Sequence, residues 1–203
     1  TIKKTPIYFK APNTKDVHKA LTLRDELNFD MILTEVKQGW HYIDRIKKSN
    51  TSVLLSLELP EEEKKETKPE EKKDTLANKE VKKVEKKEVN LDKEGFDAKK
   101  EASVKQYLAQ AALFEKNGVR FGFSYQNVKP SDVKKNIRKL VENGLTENTA
   151  LAALTTYPAQ LLGISHLAGT VEKGKIANIV VTDKPYFEEK STIKYVFVDG
   201  KKY

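Results

Sequence analysis

The chain has 203 residues, of which 33% are charged and 38% hydrophobic, with a formal net charge of +8 and no cysteine. This length fits one large domain or two small ones. The lack of cysteine excludes disulfides, thiolate metal ligands and a cysteine nucleophile. No run of about 18 apolar residues occurs, and Thr1-Ile2-Lys3-Lys4 leads directly into a strand-like segment, so we expect neither a membrane span nor a signal peptide.

The positive charge is dispersed along the chain. Residues 61–94 hold 11 Lys and 12 Asp or Glu, a net charge of −1, which leaves +9 spread over the rest. There is no arginine cluster, and aromatic residues are not interleaved with basic ones. We therefore expect no nucleic-acid partner and no membrane partner.

Apolar and amphipathic segments alternate in the first 60 residues. Strands are predicted at residues 6–11, 31–36 and 53–59, because each is a nearly continuous apolar run. Helices are predicted at residues 14–28 and 38–48, where apolar residues recur at helical spacing. Such apolar strands separated by helices are typical of parallel βαβ units.

A charged segment interrupts this pattern. Residues 61–94 contain no aromatic residue and few apolar ones, so they cannot offset the entropy of ordering. We interpret residues 61–96 as a charged, disordered insertion at a loop tip. Because Glu and Lys also favour helices, a transient helix interrupted by Pro69 is the alternative.

The strand and helix pattern resumes after the insertion. A helix is predicted from about Asp97 to Asn117, followed by a strand at residues 119–125. The next predicted elements are a helix capped by Ser131, a helix capped by Thr146 and a short turn from Pro158 to Leu162. Strands at 176–182 and 192–198 follow, and Asp199-Gly200 predicts a hairpin turn into the last residues.

Three stretches of the carboxy-terminal third resemble the end of the amidohydrolase superfamily, nearest to its imidazolonepropionase-like and prolidase-like members. These stretches are Ala153 to Ile164 (ALTTYPAQLLGI), Gly169 to Asp183 (GTVEKGKIANIVVTD) and Val196 to Tyr203 (VFVDGKKY). The resemblance implies an α/β fold, namely the second half of a (β/α)₈ barrel with strands 5 to 8, followed by the carboxy-terminal strands of a small composite β-sandwich.

The resulting expectation for domain organisation has four parts. Residues 1–60 form barrel βα units, and residues 61–96 are the insertion. Residues 97–165 form the last barrel strand with its helices, and residues 166–203 form the sandwich strands. The first half of the barrel is not in this sequence, so we expect the rest of the barrel to come from a longer or nicked chain, or from a homo-oligomer partner.

The resemblance also implies where a metal site would lie. In the family, histidines on strands 5 and 6 bind the metal, and an Asp ending strand 8 serves as general base. Those positions read here as Lys10, Glu35 and Gln126, so we expect no catalytic residue, no metal ligand and no cofactor. Zinc would be held only if the missing portion supplied ligands. Ser124, Tyr125 and Asp132 are the residues of a candidate pocket at the same end.

Two further expectations follow at that end of the strands. We predict that the Lys10 ammonium occupies the vacated metal position, paired with Glu35 in the barrel mouth, with a solvated Lys10 as the alternative. We predict that His18, His41 and His166 are surface or helix-packing residues rather than ligands, since no pair has metal-binding spacing.

Three functions stay open from the sequence. The first is an amidohydrolase-like fragment without metal and catalysis, with a structural or regulatory role in a larger protein. The second is part of an active metal-dependent hydrolase of C–N bonds, with its main ligands supplied by the missing portion. The third is a binding module that uses the pocket or the charged insertion. The absence of cysteine is compatible with either cytoplasm or periplasm.

Overall fold

The structure is a computed structural model that describes residues 6–60 and 81–203. Its chain divides into two units, residues 1–59 with 108–203 and residues 60–107. Most of the predicted insertion, residues 61–80, lies outside the described residues. Among the described residues, no helix has both the length and the apolar character needed to cross a membrane.

The first unit is built on a parallel sheet of four strands. These are β1 (Ile7–Lys10), β2 (Met31–Val36), β3 (Ser52–Ser56) and β4 (Phe121–Ser124). They lie in the order β1-β2-β3-β4, and every neighbouring pair is parallel. The predicted α/β architecture is therefore confirmed.

Helices connect the strands and follow the last one. They are α1 (Thr14–Leu27), a short 3₁₀ helix (Trp40–Tyr42) leading into α2 (Ile43–Ser49), α3 (Val81–Lys116), α4 (Pro130–Glu142), α5 (Glu147–Leu154) and α6 (Thr156–Leu161). The Asn13 side chain caps α1 by accepting a hydrogen bond from the Asp16 amide at 3.0 Å. Thr146 caps α5 in the same way, as predicted.

Two helix starts differ from the prediction. Helix α4 begins at Pro130, not after a Ser131 cap, because proline tolerates the first helical position, where its missing N–H has no partner to lose. Helix α3 begins at Val81, not near Asp97, so residues 81–96 of the predicted disordered insertion are helical. The Glu and Lys content of that stretch favours a helix, which is the alternative that the sequence left open for the insertion.

Register assigns side chains to the two faces of the sheet. Lys10 lies opposite Thr34, and Ser56 lies opposite Ser124. Because side chains alternate along a strand, these four residues share one face, which we call the site face. The other face is buried under helices and forms the core: Leu33, Val53, Leu55 and Phe121 are each at most 2% exposed. The Phe114 ring of α3 meets the Phe121 ring edge-on at 6.1 Å.

The carboxy-terminal residues form a separate antiparallel sheet. Its strands are β5 (Ile179–Thr182), β6 (Ile193–Val198) and β7 (Lys201–Lys202), in that order. Asp199 and Gly200 have φ values of 50° and 77° and form the turn between β6 and β7, as their sequence predicts. The expected small β unit is present.

Candidate functional site

A buried carboxylate lies at the carboxyl ends of the parallel strands. Glu35, near the end of β2, is 1% exposed. The Ser56 hydroxyl of β3 donates to Glu35 Oε2 at 3.0 Å, and the Ser124 hydroxyl of β4 donates to Oε1. We call these three residues the Ser-Glu-Ser cluster. It ties three strands together across the site face, at the end where active sites of parallel barrels lie.

The backbone of β2 is distorted to bring Glu35 into this cluster. Thr34 lies on the site face, so regular alternation would turn Glu35 toward the helices. The register between β2 and β3 shifts by one residue between Leu33 and Val36, and Glu35 adopts φ 54°. A left-handed conformation is unusual for a residue of this size, and bulges that redirect a side chain are typical of functional positions.

Lys10 does not pair with Glu35. Both residues are described, and no ion pair joins them; Lys10 is exposed at the end of β1. The prediction of a buried pair was wrong for two reasons. Lys10 lies opposite Thr34, and the bulge directs the Glu35 carboxylate away from β1 toward the serines of β3 and β4. The predicted alternative, a solvated Lys10 at a strand end, describes its position.

The remaining predicted site residues lie at the end of β4. Ser124 is its last residue and is 9% exposed, in contact with Glu35. Tyr125 is 60% exposed, and Gln126 is also exposed, two residues beyond the strand. Asp132 is half-buried in the first turn of α4. Of the residues selected from the sequence, the structure therefore brings together only Glu35 and Ser124, and it adds Ser56.

A second set of polar side chains lies at the same strand ends, nearer the surface. The Lys37 ammonium lies 2.9 Å from Glu58 Oε2, and the Asn127 side-chain amide donates to the same oxygen at 2.9 Å. These two hydrogen bonds outweigh partial burial and hold the pKa of Glu58 below its ordinary value, with a weaker contribution from the charges of Lys37 and Lys10. The loops after β2, β3 and β4 are thereby linked by one carboxylate.

The side chains that this chain brings to the site do not form a zinc site by themselves. A catalytic zinc ion needs three protein ligands, chiefly histidine nitrogens and carboxylate oxygens. Here Glu35 is the one carboxylate of the cluster, its two oxygens already accept hydroxyl hydrogen bonds, and the ammonium of Lys10 has no lone pair to donate. In the described parts of the chain, no group of three or more His, Cys, Asp or Glu side chains could hold a metal ion.

The histidines make their recorded contacts outside the Ser-Glu-Ser cluster. His18 stacks on Tyr42 at 5.6 Å, with its Nδ1 atom 3.3 Å from the Arg45 guanidinium. His41 lies next to Trp40 in the 3₁₀ helix. Both are exposed, as is His166. Their positions agree with the prediction of surface or helix-packing residues.

Comparison with known proteins shows which family this chain resembles in sequence. A model of the amidohydrolase family matches residues 30–202. Over 58 residues the chain is 40% identical to the N-acetylglucosamine-6-phosphate deacetylase of Danio rerio, a stretch that covers 29% of this chain and 13% of that protein.

Solved structures match nearly the whole length of the chain. An amidohydrolase from Thermotoga maritima MSB8 has a TM-score of 0.70 at 20% identity and aligns with 98% of this chain and 43% of its own. A prolidase complexed with N-methylphosphonate-L-proline has a TM-score of 0.60 at 14% identity, over 98% and 45%. The chain thus spans less than half the length of these proteins. The predicted fold, part of a (β/α)₈ barrel with a small antiparallel sheet, is confirmed.

Proposed function

Because the chain belongs to the amidohydrolase family, we propose that it is the second half of an amidohydrolase barrel that has lost metal-dependent catalysis and serves a structural or regulatory role in a larger protein. The observation that carries this proposal is the Ser-Glu-Ser cluster. Where the family resemblance implies a metal site, this chain places a carboxylate that is occupied by two hydroxyl donors.

The end of β4 supports the loss of the catalytic base. The family's Gly-x-Asp ending can be aligned with Gly122-Phe123-Ser124, so that Ser124 stands at the position of the Asp. Both Gly122 and Ser124 lie on the site face, opposite Leu54 and Ser56. This register fits the buried strand better than one that ends at the exposed Gln126. A serine hydroxyl is not a base at neutral pH, so it cannot take a proton from an attacking water.

The packing around β4 explains why residue 122 is a glycine. A Cβ atom there would lie 2.8 Å from Leu54 Cδ2 and 3.4 Å from Pro158 Cγ. The strand can approach Leu54 closely only without a side chain at this position. The Gly-x-Ser ending therefore combines a glycine that the packing of this strand requires with a hydroxyl at the strand end.

The alternative is part of an active hydrolase of C–N bonds with its main metal ligands on another portion of the protein. One observation favours it, since Glu35 is still a carboxylate at a family ligand position and the β2 bulge aims it at the strand ends. A single carboxylate could complete a site assembled from elsewhere.

Hydrolysis by the complete protein distinguishes the two. The complete reading frame is expressed as wild type and as Glu35→Gln, and both are assayed with added Zn²⁺ on an N-acetylated amino sugar, a dipeptide ending in proline and a cyclic amide. The proposal predicts the same background rate for both proteins on all three substrates. Turnover by the wild type that Glu35→Gln lowers by 10²-fold or more would establish the alternative instead.

A further inference from the structure

A cavity of about 520 Å³ lies at the amino ends of strands β3 and β4. Ser52 and Phe121, the first residues of these strands, both line it. Ser56 and Ser124, which belong to the Ser-Glu-Ser cluster, are the last residues of the same strands. At a rise of about 3.3 Å per residue, Ser52 and Ser56 are about 13 Å apart. The cavity is therefore separate from the cluster and lies at the other end of the strands.

The cavity has the size and the mixed lining of a small-molecule site. Ile46, Val119 and Phe121 line it with apolar side chains that are 0%, 8% and 1% exposed. Polar side chains from the end of α2, the start of β3 and helix α6 form the rest of the lining. Sites for small ligands are typically cavities of about 300–1,000 Å³ with apolar walls and a few polar groups that orient the ligand.

The charged side chains that line the cavity are both cations. They belong to Lys47 and Arg120, and no carboxylate lines the cavity with them. Within the described part of the chain, neither cation forms an ion pair, whereas Arg24, Arg45 and Arg138 each pair with a carboxylate. Arg120 is thus the arginine whose charge stays uncompensated, and it lies at a cavity together with a lysine. An excess of positive charge at a concave surface attracts anions.

Neutral donors accompany the two cations. Arg120 donates to Gln160 Oε1 at 3.3 Å, which leaves the Gln160 Nε2 group and the other guanidinium N–H groups available as donors. Ser52 and Tyr157 add hydroxyls to the lining. A guanidinium can bind two oxygens of one anion side by side, and an ammonium binds a further oxygen as a point charge.

We propose that this cavity binds a phosphate monoester of a small polar molecule. The phosphate dianion matches the two cations in charge, and its oxygens accept from the guanidinium, the ammonium and the neutral donors. A carboxylate carries one charge and leaves one cation uncompensated. Phosphate by itself fills a small part of 520 Å³, so the organic group of the ester occupies the remaining space. The inference goes beyond the proposed function and does not depend on it.

Isothermal titration calorimetry on the complete protein tests this site, in about 0.15 M salt so that diffuse charge effects are screened. The titrants are ribose 5-phosphate, inorganic phosphate, ribose and gluconate. The variants Lys47→Gln and Arg120→Gln each remove one cation from an exposed position, so the fold should persist, and thermal unfolding without ligand checks this. Lys48→Gln is the matched control, because Lys48 is the next residue of α2, is also exposed and does not line the cavity.

The proposal predicts that one ribose 5-phosphate binds per chain, that inorganic phosphate binds more weakly and that ribose does not bind. Lys47→Gln and Arg120→Gln should each raise the dissociation constant of ribose 5-phosphate by on the order of tenfold, since each removes a charge-assisted hydrogen bond. Lys48→Gln should leave it unchanged. Absence of ribose 5-phosphate binding, gluconate binding of equal strength, or an equal loss in Lys47→Gln and Lys48→Gln would overturn the proposal.

Glu35→Gln shows at which end of the strands the ligand binds. Because Glu35 lies in the Ser-Glu-Ser cluster, its substitution should leave the affinity for ribose 5-phosphate unchanged. A tenfold change in Glu35→Gln would place the phosphate at the cluster and would also overturn the proposal. Hydrolysis is measured separately, so zinc-dependent turnover would refute the proposed function and leave this site intact, whereas absence of phosphate binding would refute the site alone.

Discussion

Removal of the Ser124 hydroxyl is expected to destabilise the fold. Ser124→Ala deletes the donor to Glu35 Oε1 and changes little volume. The carboxylate is 1% exposed, so water does not replace the lost donor. Hydrogen bonds to charged groups contribute about 1.5–3 kcal/mol, and we expect Ser124→Ala to lower the free energy of unfolding by about 2 kcal/mol.

Ser56, the second hydroxyl donor to Glu35, provides a further test of the same hydrogen-bonded cluster. Ser56→Ala should have a similar effect, and the double variant should lose more than the two single losses combined, because the buried carboxylate then has neither hydroxyl donor. Glu35→Gln should be nearly neutral in the wild type, since an amide can both accept from and donate to the serines. In the double-alanine background the same substitution should be stabilising, because it removes an uncompensated buried charge.

Urea unfolding at pH 7 measures these differences. Ser191→Ala is the matched control, since Ser191 is also 9% exposed but donates to a neutral carbonyl, that of Lys184, at 3.3 Å. This control should lose about 1 kcal/mol or less. A loss at Ser124 no larger than that at Ser191, or a Glu35→Gln substitution that is no more stabilising in the double-alanine background than in the wild type, would refute the role assigned to the cluster.

Two further predictions concern residues around the core. Glu115 accepts hydrogen bonds from Thr146 and Thr149; burial raises its pKa, but these bonds prevail and hold the pKa below its ordinary value of 4.5. The stability that Glu115 contributes should therefore be full above about pH 4.5 and lost as the pH falls through the folded-state pKa. The deficit of Glu115→Gln in urea unfolding, about 1–2 kcal/mol at pH 7, should shrink over the same fall in pH, and a constant deficit would contradict this. Gly39→Ala places a Cβ atom 2.8 Å from Val36 Cγ1 and 3.2 Å from Phe114 Cζ, and thermal unfolding should show a loss of about 1–3 kcal/mol, whereas an unchanged melting temperature would contradict the packing.

The order of strands and helices could be predicted from the sequence because the parallel strands are short apolar runs. Residues 31–36 are buried at every position but one, and the predicted strand has the observed bounds. The insertion was harder to interpret, since Lys and Glu are common both in disordered segments and in solvated helices. Local composition therefore left the start of α3 open, and the structure places it at Val81.

The sequence indicated where the site lies, but not which side chains contact one another there. The family pattern identified Glu35, while its partners depend on a one-residue bulge and a left-handed backbone at Glu35 itself, which no period-two pattern encodes. Ser56 carried no motif. The predicted strand 119–125 ends one residue later than β4, and the match of Gln126 to the family's acid position stays a prediction beside the Gly-x-Ser spacing at 122–124.

The zinc content of the complete protein tests the central claim most directly. The protein is expressed with supplemented zinc, passed through gel filtration and analysed by atomic emission, alongside Glu35→Gln. The Ser-Glu-Ser cluster predicts well below one equivalent of zinc in both. Hydroxyls hold its carboxylate, and the part of the chain that the structure describes contains no group of three or more His, Cys, Asp or Glu side chains that could hold a metal ion. One equivalent or more in the wild type that is lost in Glu35→Gln would show that Glu35 binds metal and would contradict the account.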